Sequence, residues 1–405
     1  MTSQRLADDA AFEAANPLPQ PTGAIRANPR EWERARIGSS PVPASQLGSG
    51  DSVEWAWYGW LAVRQITLLV GLWKSGKTTL VANLLGAFHR GGDLAGAISP
   101  CQVLVVSEES SALWARRRDN VGIADNVHFL CRHFLGKPSM RDWMQFLDWI
   151  ADLVREHGYR VVIFDPWQSM NPCSDENDAS QTMAALGPLH RITEAGAAVL
   201  LVHHPRKGDA AEGQAARGSG ALAGFVDTIV ELRRFNPESA DDRRRELKGL
   251  SRFDETPSEV VIELTDSGYH TIGSVGEATQ SDRIRVITQI LSESNEPCTA
   301  DDVRSGWPDG TVPKPGRRTV MNDLNVGFKR SEWCRTGSGK RGDPFRYFPN
   351  GNANVQESNQ TDHQNSIRAR SQSYTHETNL PGRVELAESQ FVSAPETTID
   401  EWGEV

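Results

Sequence analysis

One stretch, Gln65 to Leu80, constrains the fold of this chain more than any other. It reads QITLLVGLWKSGKTTL. The apolar and β-branched run from Ile66 to Val70 predicts a buried strand, and the apolar pattern that follows Thr78 predicts a helix. Between them lies a glycine-rich loop with the spacing G-x-x-x-x-G-K-T, the P-loop pattern in the strand-to-helix context that it requires. The sequence therefore predicts an α/β fold that contains a phosphate-binding loop.

Each part of this loop suits the binding of a nucleotide phosphate. Two glycines let the backbone curl so that successive N–H groups converge on an anion, and the helix N-terminus adds partial positive charge. Lys77 is expected to reach the β- and γ-phosphates of ATP, and the Thr78 hydroxyl to help hold Mg²⁺. Trp73 and Lys74 do not break the pattern, but their role is unassigned. The nucleotide-binding residues expected here are Gly71, Leu72, Trp73, Lys74, Ser75, Gly76, Lys77, Thr78 and Thr79.

Composition excludes several classes of protein. The 405 residues are enough for two or three units with a sizeable core. No apolar run approaches the roughly 20 residues of a membrane span, and the first residues lack the apolar region of a signal peptide, so we expect a cytoplasmic protein without a membrane partner. The five cysteines show no metal-ligand spacing and are expected to be free thiols. Because the net charge is −10, any contact with nucleic acid requires a local basic patch or an assembled surface.

Helical and buried extended segments alternate after the P-loop. This alternation predicts a mainly parallel sheet covered by helices on both faces. The strands are expected at Val103 to Ser107, Val127 to Leu130, Val161 to Phe164 and Ala197 to Val202. The helices are expected at Thr79 to His89, Met140 to His157 and Ala179 to Ala195. Four later strands are expected to extend the sheet in antiparallel pairs, at Thr228 to Leu232, Glu246 to Leu250, Glu259 to Leu264 and Tyr269 to Ile272.

The chain is predicted to contain five segments. They are a disordered N-terminal arm (1–53), an α/β core (54–272), a polar linker (273–281), a second folded unit (282–349) and a disordered tail with an acidic tip (350–405). The aromatic cluster between Trp55 and Trp60, at the start of the core, is expected to pack against the sheet edge. A platform that stacks on adenine is the alternative interpretation of this cluster.

Acidic residues follow two of the predicted strands. Asp165 ends the strand VVIF and fits the Walker B role of binding Mg²⁺ directly or through water. Pro166 follows it, not a second acid, so the general base must come from another strand, which favours a RecA-type arrangement over consecutive acids. Glu108 and Glu109 follow the strand VLVVS, and either carboxylate could orient and deprotonate the attacking water. We favour Glu109 and keep Glu108 as the alternative.

Two histidines and one arginine complete the predicted catalytic set. His203 and His204 end the strand AVLLV, where a polar group can sense the γ-phosphate, and His204 is favoured for this role over a core histidine satisfied by the backbone. Arg217 lies in a segment rich in glycine and alanine and is expected to act as an arginine finger in a neighbouring protomer, or to grip nucleic-acid phosphates. Lys248 and Arg252 are competing candidates for the finger.

The second folded unit combines helices with a basic hairpin. Three helices are expected at Arg283 to Ser292, Thr299 to Ser305 and Arg317 to Lys329, followed by strands at Glu332 to Arg335 and Phe345 to Phe348. This order is typical of a small winged helix. Nine Lys/Arg against three Asp/Glu between Lys314 and Arg346 suit contacts with DNA, although winged helices also dock proteins. The DNA-contacting residues expected here are Arg317, Arg318, Lys340 and Arg341.

Five motifs in this order carry a resemblance to a known family. GLWKSGKTTL, VLVVSEES, VVIFDPW, VLLVHHPRKG and RGSGALAGFVDTIVEL resemble the RepA-like ATPases, the AAA_25 group of the RecA/DnaB-type P-loop superfamily, over about residues 54–272. The segment GSGKRGDPFRYF is similar to the winged-helix tail of some relatives. The resemblance implies a RecA-like core that uses ATP and Mg²⁺. It also implies that Lys77 and Thr78 bind the phosphates and the metal ion, that Asp165 is the Walker B acid, that Glu108 or Glu109 is the base, and that His204 senses the γ-phosphate.

The same resemblance implies a hexameric ring that acts as a replicative helicase of plasmids and other mobile elements. Our interpretation is an ATPase whose loops move along single-stranded DNA in the ring channel. The alternatives are a nucleotide-switched DNA-binding regulator or initiator, and a RadA- or KaiC-like ATPase without unwinding activity. The acidic tip at residues 399–405 is a candidate docking peptide for a replication partner.

Overall fold

A computed structural model describes residues 43–46, 52–204, 220–310 and 312–350. The chain divides into two units, Met1–Glu54 and Trp55–Val405. In the first unit, Ala44–Gln46 form a short 3-10 helix. The expected disordered arm and tail lie almost entirely outside the described residues. All elements below belong to the second unit.

The second unit is an alternation of strands and helices followed by a run of strands and a run of helices. The strands are β1 (Trp55–Trp57), β2 (Leu61–Ala62), β3 (Ile66–Val70), β4 (Gly92–Asp93), β5 (Ala97–Ile98), β6 (Gln102–Ser107), β7 (Val127–Cys131), β8 (Tyr159–Asp165), β9 (Ala198–His203), β10 (Thr228–Arg234), β11 (Arg244–Ser251), β12 (Glu259–Thr265), β13 (Gly268–Gly273), β14 (Trp333–Thr336) and β15 (Arg346–Pro349). The helices are α1 (Lys77–Arg90), α2 (Ser111–Val121), α3 (Met140–His157), α4 (Trp167–Met170), α5 (Ala179–Leu186), α6 (His190–Ala195), α7 (Gly220–Phe225), α8 (Val275–Glu293), α9 (Ala300–Ser305) and α10 (Arg317–Lys329).

The main sheet of the described chain has nine strands in the order β13-β12-β11-β10-β3-β9-β8-β6-β7. The strands from β10 to β7 in this order are parallel to their neighbours. β11, β12 and β13 add antiparallel pairs at one edge. The prediction of a mainly parallel sheet with an antiparallel extension is therefore confirmed.

The parallel strands are buried on both faces because helices cover each side. Along β6, Val103 and Val105 pack into the apolar core beneath α1 and α2. Their neighbours Leu104 and Val106 pack into a second core formed with α3, α5 and α6. This alternation follows from the two-residue period of a strand, and it explains the all-apolar sequences of these strands.

Helix α3 has the bounds that its apolar periodicity predicts. It begins after Ser139, whose hydroxyl accepts a hydrogen bond from the Asp142 amide at 3.2 Å, and it ends at Gly158, which has φ 68°. Trp143, Phe146 and four more of its side chains are buried. These aromatic residues are therefore part of the apolar core.

The aromatic cluster before the P-loop packs inside a small second sheet. β2, β1, β5 and β4 are its strands. Trp57 and Trp60 stack with ring centroids 5.5 Å apart, and they are 1% and 0% exposed. Their indole N–H groups donate to the carbonyls of Leu94 and Ala95, each at 2.7 Å. This burial favours the packing interpretation over an adenine platform.

Two helical segments differ from the prediction. The segment expected as a linker, residues 273–281, is mostly the first part of α8, because Ser274 and Glu277 form a capping box that starts the helix at Val275. The single helix expected from Ala179 to Ala195 is interrupted by a 3-10 turn at Gly187–Leu189, where Pro188 has no amide hydrogen to donate. No helix in the described ranges is long and apolar enough to cross a membrane.

The C-terminal helical unit, α8 to α10 with the β14–β15 hairpin, has its own apolar core. Trp333 is 2% exposed and donates its indole N–H to the Leu324 carbonyl at 3.0 Å. Val303, Val320 and Leu324 are fully buried around it. β14 and β15 pair antiparallel, as the predicted hairpin requires.

Candidate functional site

Four loops meet at the carboxyl edge of the main sheet. They follow β3, β9, β8 and β6, which are adjacent in the sheet order. The P-loop follows β3, the two histidines end β9, Asp165 ends β8, and Glu108 and Glu109 follow β6. Ligands of open parallel sheets bind at this edge, so the sheet order alone brings the predicted site residues together.

The P-loop backbone has the geometry of an anion-binding cradle. A Cβ at Gly71 would lie 2.5 Å from the Leu232 carbonyl oxygen, so only glycine allows this approach to β10. Gly76 has φ 103° and is the N-cap of α1, with no side-chain cap and no acidic residue in the first helical turn. The buried Ser75 hydroxyl has no hydrogen-bond partner among the described residues. Uncapped amide donors and an unpartnered hydroxyl fit a bound phosphate.

Lys77 is a buried cation in the centre of this cradle. It is 2% exposed, and its Nζ donates to the carbonyls of Gly71 at 2.5 Å and Leu72 at 2.9 Å. Burial lowers the pKa of Lys77 to about 8, while the nearby Asp165 carboxylate acts in the opposite direction. A phosphate here would favour the charged form, so the site fits an anionic ligand.

Asp165 is the buried acid of the site. It is 3% exposed, and burial raises its pKa to about 6, with a further rise from the Glu109 charge. A hydrogen bond with the Thr78 side chain and the charge of Arg117 oppose this rise. The Thr78 hydroxyl and the Asp165 carboxylate are the hard oxygen ligands that Mg²⁺ prefers, and a cation would relieve the cost of burying the carboxylate.

Glu109 is fixed by an arginine that the sequence did not single out. Both carboxylate oxygens accept hydrogen bonds from the Arg117 guanidinium, one of them at 2.9 Å, and both side chains are 28% exposed. Arg117 also lies 4.8 Å from the centroid of the Trp114 ring. The Trp114 indole in turn donates to the Ser107 hydroxyl at 2.9 Å. Glu108 is exposed.

A sequence signal for Arg117 exists in hindsight. Ser110 is a helix-capping residue type directly after the two acids, and it begins a helix that carries the run Arg116, Arg117 and Arg118. When a helix starts beside two carboxylates, a long basic side chain two turns later can extend back and contact them. The missing step was the prediction of α2 itself.

The two histidines at the end of β9 are neutral at neutral pH. Burial lowers the pKa of His203 and of His204 to about 4 each, and the Lys77 charge adds to the effect. Gln168 fixes His204 by accepting from its amide at 3.1 Å and donating to its carbonyl. The buried Nδ1 atoms of both rings have no partner among the described residues. The His204 ring lies 6.0 Å from that of Trp73, which is 71% exposed at the site mouth.

Of the candidates for an arginine finger, the two described ones, Lys248 and Arg252, pair with acids away from the site. Arg217 lies outside the described residues. Lys248 is 3.8 Å from the Glu246 carboxylate on the same strand, and Arg252 binds the Asp227 carboxylate at 3.0 Å. The described residues therefore leave the finger unassigned.

Comparison with known proteins agrees with this chemistry. A family model described as an AAA domain matches residues 33–210, a range that includes the P-loop, both acids of β6, Asp165 and the two histidines. The match supports an AAA-like P-loop ATPase that binds a nucleotide. No curated protein matches the chain.

Proposed function

We propose that this protein binds and hydrolyses ATP with Mg²⁺ as a RepA-like ATPase. The observation that carries the proposal is the meeting of Lys77, Thr78, Asp165 and Glu109 at one edge of the sheet. Lys77 and the P-loop amides would hold the phosphates. Thr78 and Asp165 would hold Mg²⁺, which supplies charge neutralisation at the phosphates when bound.

The proton-transfer step is assigned to Glu109. A water molecule attacks the γ-phosphorus, its proton passes to the Glu109 carboxylate, and the bond to the ADP oxygen breaks. Both oxygens of Glu109 accept hydrogen bonds from Arg117, so the proton goes to a remaining lone pair or to an oxygen that Arg117 releases. His204 is neutral, so it can donate one N–H to the γ-phosphate without placing a second cation beside Lys77. Glu108 is the alternative base.

We further propose that the ATPase works on DNA. The C-terminal helical unit is assigned as a winged helix, in which Arg317, Arg318, Lys340 and Arg341 contact DNA. The core would assemble into a hexameric ring, with single-stranded DNA in its channel, and act as a helicase or translocase in the replication of a mobile element. The two exposed cations in the turn between β14 and β15, Lys340 and Arg341, support the DNA assignment.

The test is an ATPase assay with and without single-stranded DNA. Wild type should hydrolyse ATP faster with DNA, and Lys77→Ala should lose hydrolysis in both conditions. Arg90→Ala, at the far end of α1, is the matched control that removes a cation from the same helix. Wild-type protein that binds DNA tightly but whose ATPase rate ignores DNA would contradict the motor proposal.

A second function, a nucleotide-switched regulator or initiator, is favoured by one observation. The bidentate pairing of Glu109 with Arg117 engages both oxygens of the proposed base, which suits slow hydrolysis. A regulator would bind DNA with an affinity that differs between ATP and ADP, with no strand separation. A RadA- or KaiC-like ATPase would show hydrolysis with neither property. A strand-separation assay alongside DNA binding in each nucleotide therefore distinguishes the three.

A further inference from the structure

Three consecutive arginines lie at the start of β11, with Arg243 just before the strand and Arg244 and Arg245 within it, and each makes different contacts. Arg243 pairs with Asp266 at 3.3 Å on the surface, where the two side chains are 52% and 101% exposed. Arg244 and Arg245, by contrast, point into the protein in opposite directions, as neighbours on a strand must. Their contacts connect the P-loop with the C-terminal helical unit.

Arg245 holds the P-loop from the sheet side. Its Nε donates to the Ser75 carbonyl at 2.8 Å. Its Nη1 donates to the carbonyls of Asp242 and Arg244 at 3.0 and 2.7 Å. A Cβ at Gly76 would lie 3.8 Å from this Nε, so the guanidinium packs against the last turn of the loop. One rigid fork therefore fixes the P-loop relative to the start of β11.

Arg244 holds α8 from the same point of the strand. Its Nη1 donates to both carboxylate oxygens of Asp282, at 2.8 and 2.9 Å, and its other nitrogens donate to the Asp242 carboxylate at 2.7 to 3.2 Å. Arg244 is 14% exposed and Asp282 12%. The guanidinium also lies 4.3 Å from the centroid of the Phe235 ring. Asp242 thus serves both arginines, with its carboxylate for one and its carbonyl for the other.

The connection continues into the C-terminal helical unit through a second buried ion pair. Arg283, next to Asp282 on α8, donates to the Asp323 carboxylate of α10 at 2.6 Å. Gln280 donates to the same carboxylate at 2.9 Å, and Asp323 is 1% exposed. Because a buried ion pair that loses one partner leaves a costly unpaired charge, these contacts hold the three elements in one arrangement.

We propose that Arg245 is a positioning residue for the P-loop and that the Arg244–Asp282 pair makes its position depend on the C-terminal helical unit. The Ser75 carbonyl belongs to the same backbone as the converging N–H groups, so a shift of Arg245 turns those donors away from the phosphates. By the reciprocity of linked equilibria, nucleotide in the P-loop must then stabilise α8. The inference rests on the proposed nucleotide site but not on hydrolysis.

Steady-state ATP kinetics on the full chain test the positioning role. Arg245→Gln should raise KM about tenfold and change kcat less, since P-loop donors bind the phosphates alike in the ground and transition states. Asp282→Asn should also raise KM, by about threefold, although Asp282 lies on α8 and outside the ATP site. Two control variants each remove an exposed arginine. Arg243→Gln removes the residue just before β11, and Arg285→Gln removes the exposed second partner of Asp282, at 3.6 Å. Asp282→Asn kinetics equal to those of Arg285→Gln would overturn the proposal.

Hydrogen exchange provides a readout that a merely structural role would not move. A nonhydrolysable ATP analogue with Mg²⁺ should slow amide exchange in residues 275–293 of wild type and of Arg243→Gln, and not in Asp282→Asn. If the amide exchange of residues 275–293 in wild type does not change when the analogue binds, the coupling between the P-loop and α8 is wrong. This result does not depend on the folding of any variant. If wild type binds the analogue but does not hydrolyse ATP, the ATPase proposal is wrong. The exchange response would still test the coupling between the P-loop and α8.

Discussion

The contact between Glu109 and Arg117 sets the chemistry at the smallest scale. The Arg117 guanidinium engages both oxygens of the Glu109 carboxylate, whose charge in turn raises the pKa of the nearby Asp165. Hydrolysis is therefore expected to be faster when Arg117 releases an oxygen of Glu109. A nucleotide phosphate offers that guanidinium an alternative anion, so binding itself can release the base.

The first prediction distinguishes the two candidate bases. Glu109→Gln should lower kcat by about 10² or more and leave nucleotide binding intact, because the amide cannot accept the proton. Glu108→Gln is the matched control, since Glu108 is the exposed neighbour and its charge acts less on Asp165 than that of Glu109. Single-turnover hydrolysis and binding of a fluorescent nucleotide measure the two effects. A large loss in the Glu108 variant alone would exchange the assignments.

The second prediction concerns the cost of burying Asp165. Its pKa is about 6 in the folded protein against an ordinary value of 3.8, so the folded state binds more protons than the unfolded state between these values. Stability therefore falls as pH rises through this window. Without Mg²⁺, Asp165→Asn should raise the free energy of unfolding at pH 7.5 by up to about 3 kcal/mol, and by roughly half of that at pH 5.

Urea denaturation in chelator at the two pH values measures this difference. Asp152→Asn, an exposed carboxylate on α3 with 74% of its side chain accessible, is the control that should show no such pH dependence. A gain for Asp165→Asn that is the same at both pH values would mean that the carboxylate is not the source of the effect.

For helices and strands, apolar periodicity and capping residues determine which bounds can be predicted from the sequence. The helices α3 and α10 have the bounds that their apolar spacing predicts, Met140–His157 and Arg317–Lys329. The start of α8 was missed because its first turns are polar and are specified by the Ser274–Glu277 capping box, not by apolar spacing. The small sheet of β1, β2, β4 and β5 was missed because strands of two or three residues carry no period.

The same limit applies to the site. The P-loop, Asp165 and Glu109 could be found from sequence because each directly follows an apolar strand. Arg117 was missed because α2, the helix that returns it to Glu109, was not predicted, and Arg245 could not be found because Ser75 reaches it only after β11 has joined the sheet. The distance along the chain between Ser75 and Arg245 shows why: a contact between such remote segments is specified by the sheet order, which a single sequence does not display.

The third prediction concerns the cations of the C-terminal helical unit, which are not equivalent. Arg317 is paired with Asp301 at 2.7 Å, and the Arg335 guanidinium lies 4.2 and 4.0 Å from the ring centroids of Phe328 and Phe345. Arg318, Lys340 and Arg341 are exposed and have no ion pair among the described residues. The triple variant of these three to glutamine should weaken DNA binding and flatten the dependence of log affinity on log salt by about 2 to 3.

Fluorescence anisotropy of labelled DNA across a salt series measures this slope on the full chain. The control is a triple replacement by glutamine on the ATPase core, at Arg118, Arg155 and Arg191, which removes the same charge from another surface. If the two triple variants lose the same affinity and slope, the binding reflects overall charge and the assignment of Arg318, Lys340 and Arg341 as DNA contacts is wrong. If neither variant changes binding, the C-terminal cations serve a protein partner.

At the scale of the whole molecule, the open mouth of the nucleotide site bears on assembly. Trp73 is 71% exposed there, and among the described residues the finger candidates Lys248 and Arg252 pair with Glu246 and Asp227 instead of reaching the phosphate cradle. A site that is complete only between neighbours needs a head-to-tail interface, and such interfaces close into rings when the rotation permits. In the proposed ring, the net charge of −10 per protomer would make assembly dependent on salt, because like-charged protomers repel.

The last prediction tests this shared site by complementation. Lys77→Ala destroys the phosphate cradle, and Arg217→Ala removes the proposed finger, so each protein alone should be inactive. In a ring, an Arg217→Ala protomer supplies an intact cradle and its Lys77→Ala neighbour supplies the arginine, so an equal mixture should regain roughly a quarter of wild-type ATPase activity, the share of neighbouring pairs with this order. Native mass measurement should show six protomers with ATP. Lys248→Ala in place of Arg217→Ala is the control for the competing finger. A mixture that stays inactive although native mass shows mixed hexamers would exclude Arg217 as the finger, and a monomer in every nucleotide state would exclude the ring.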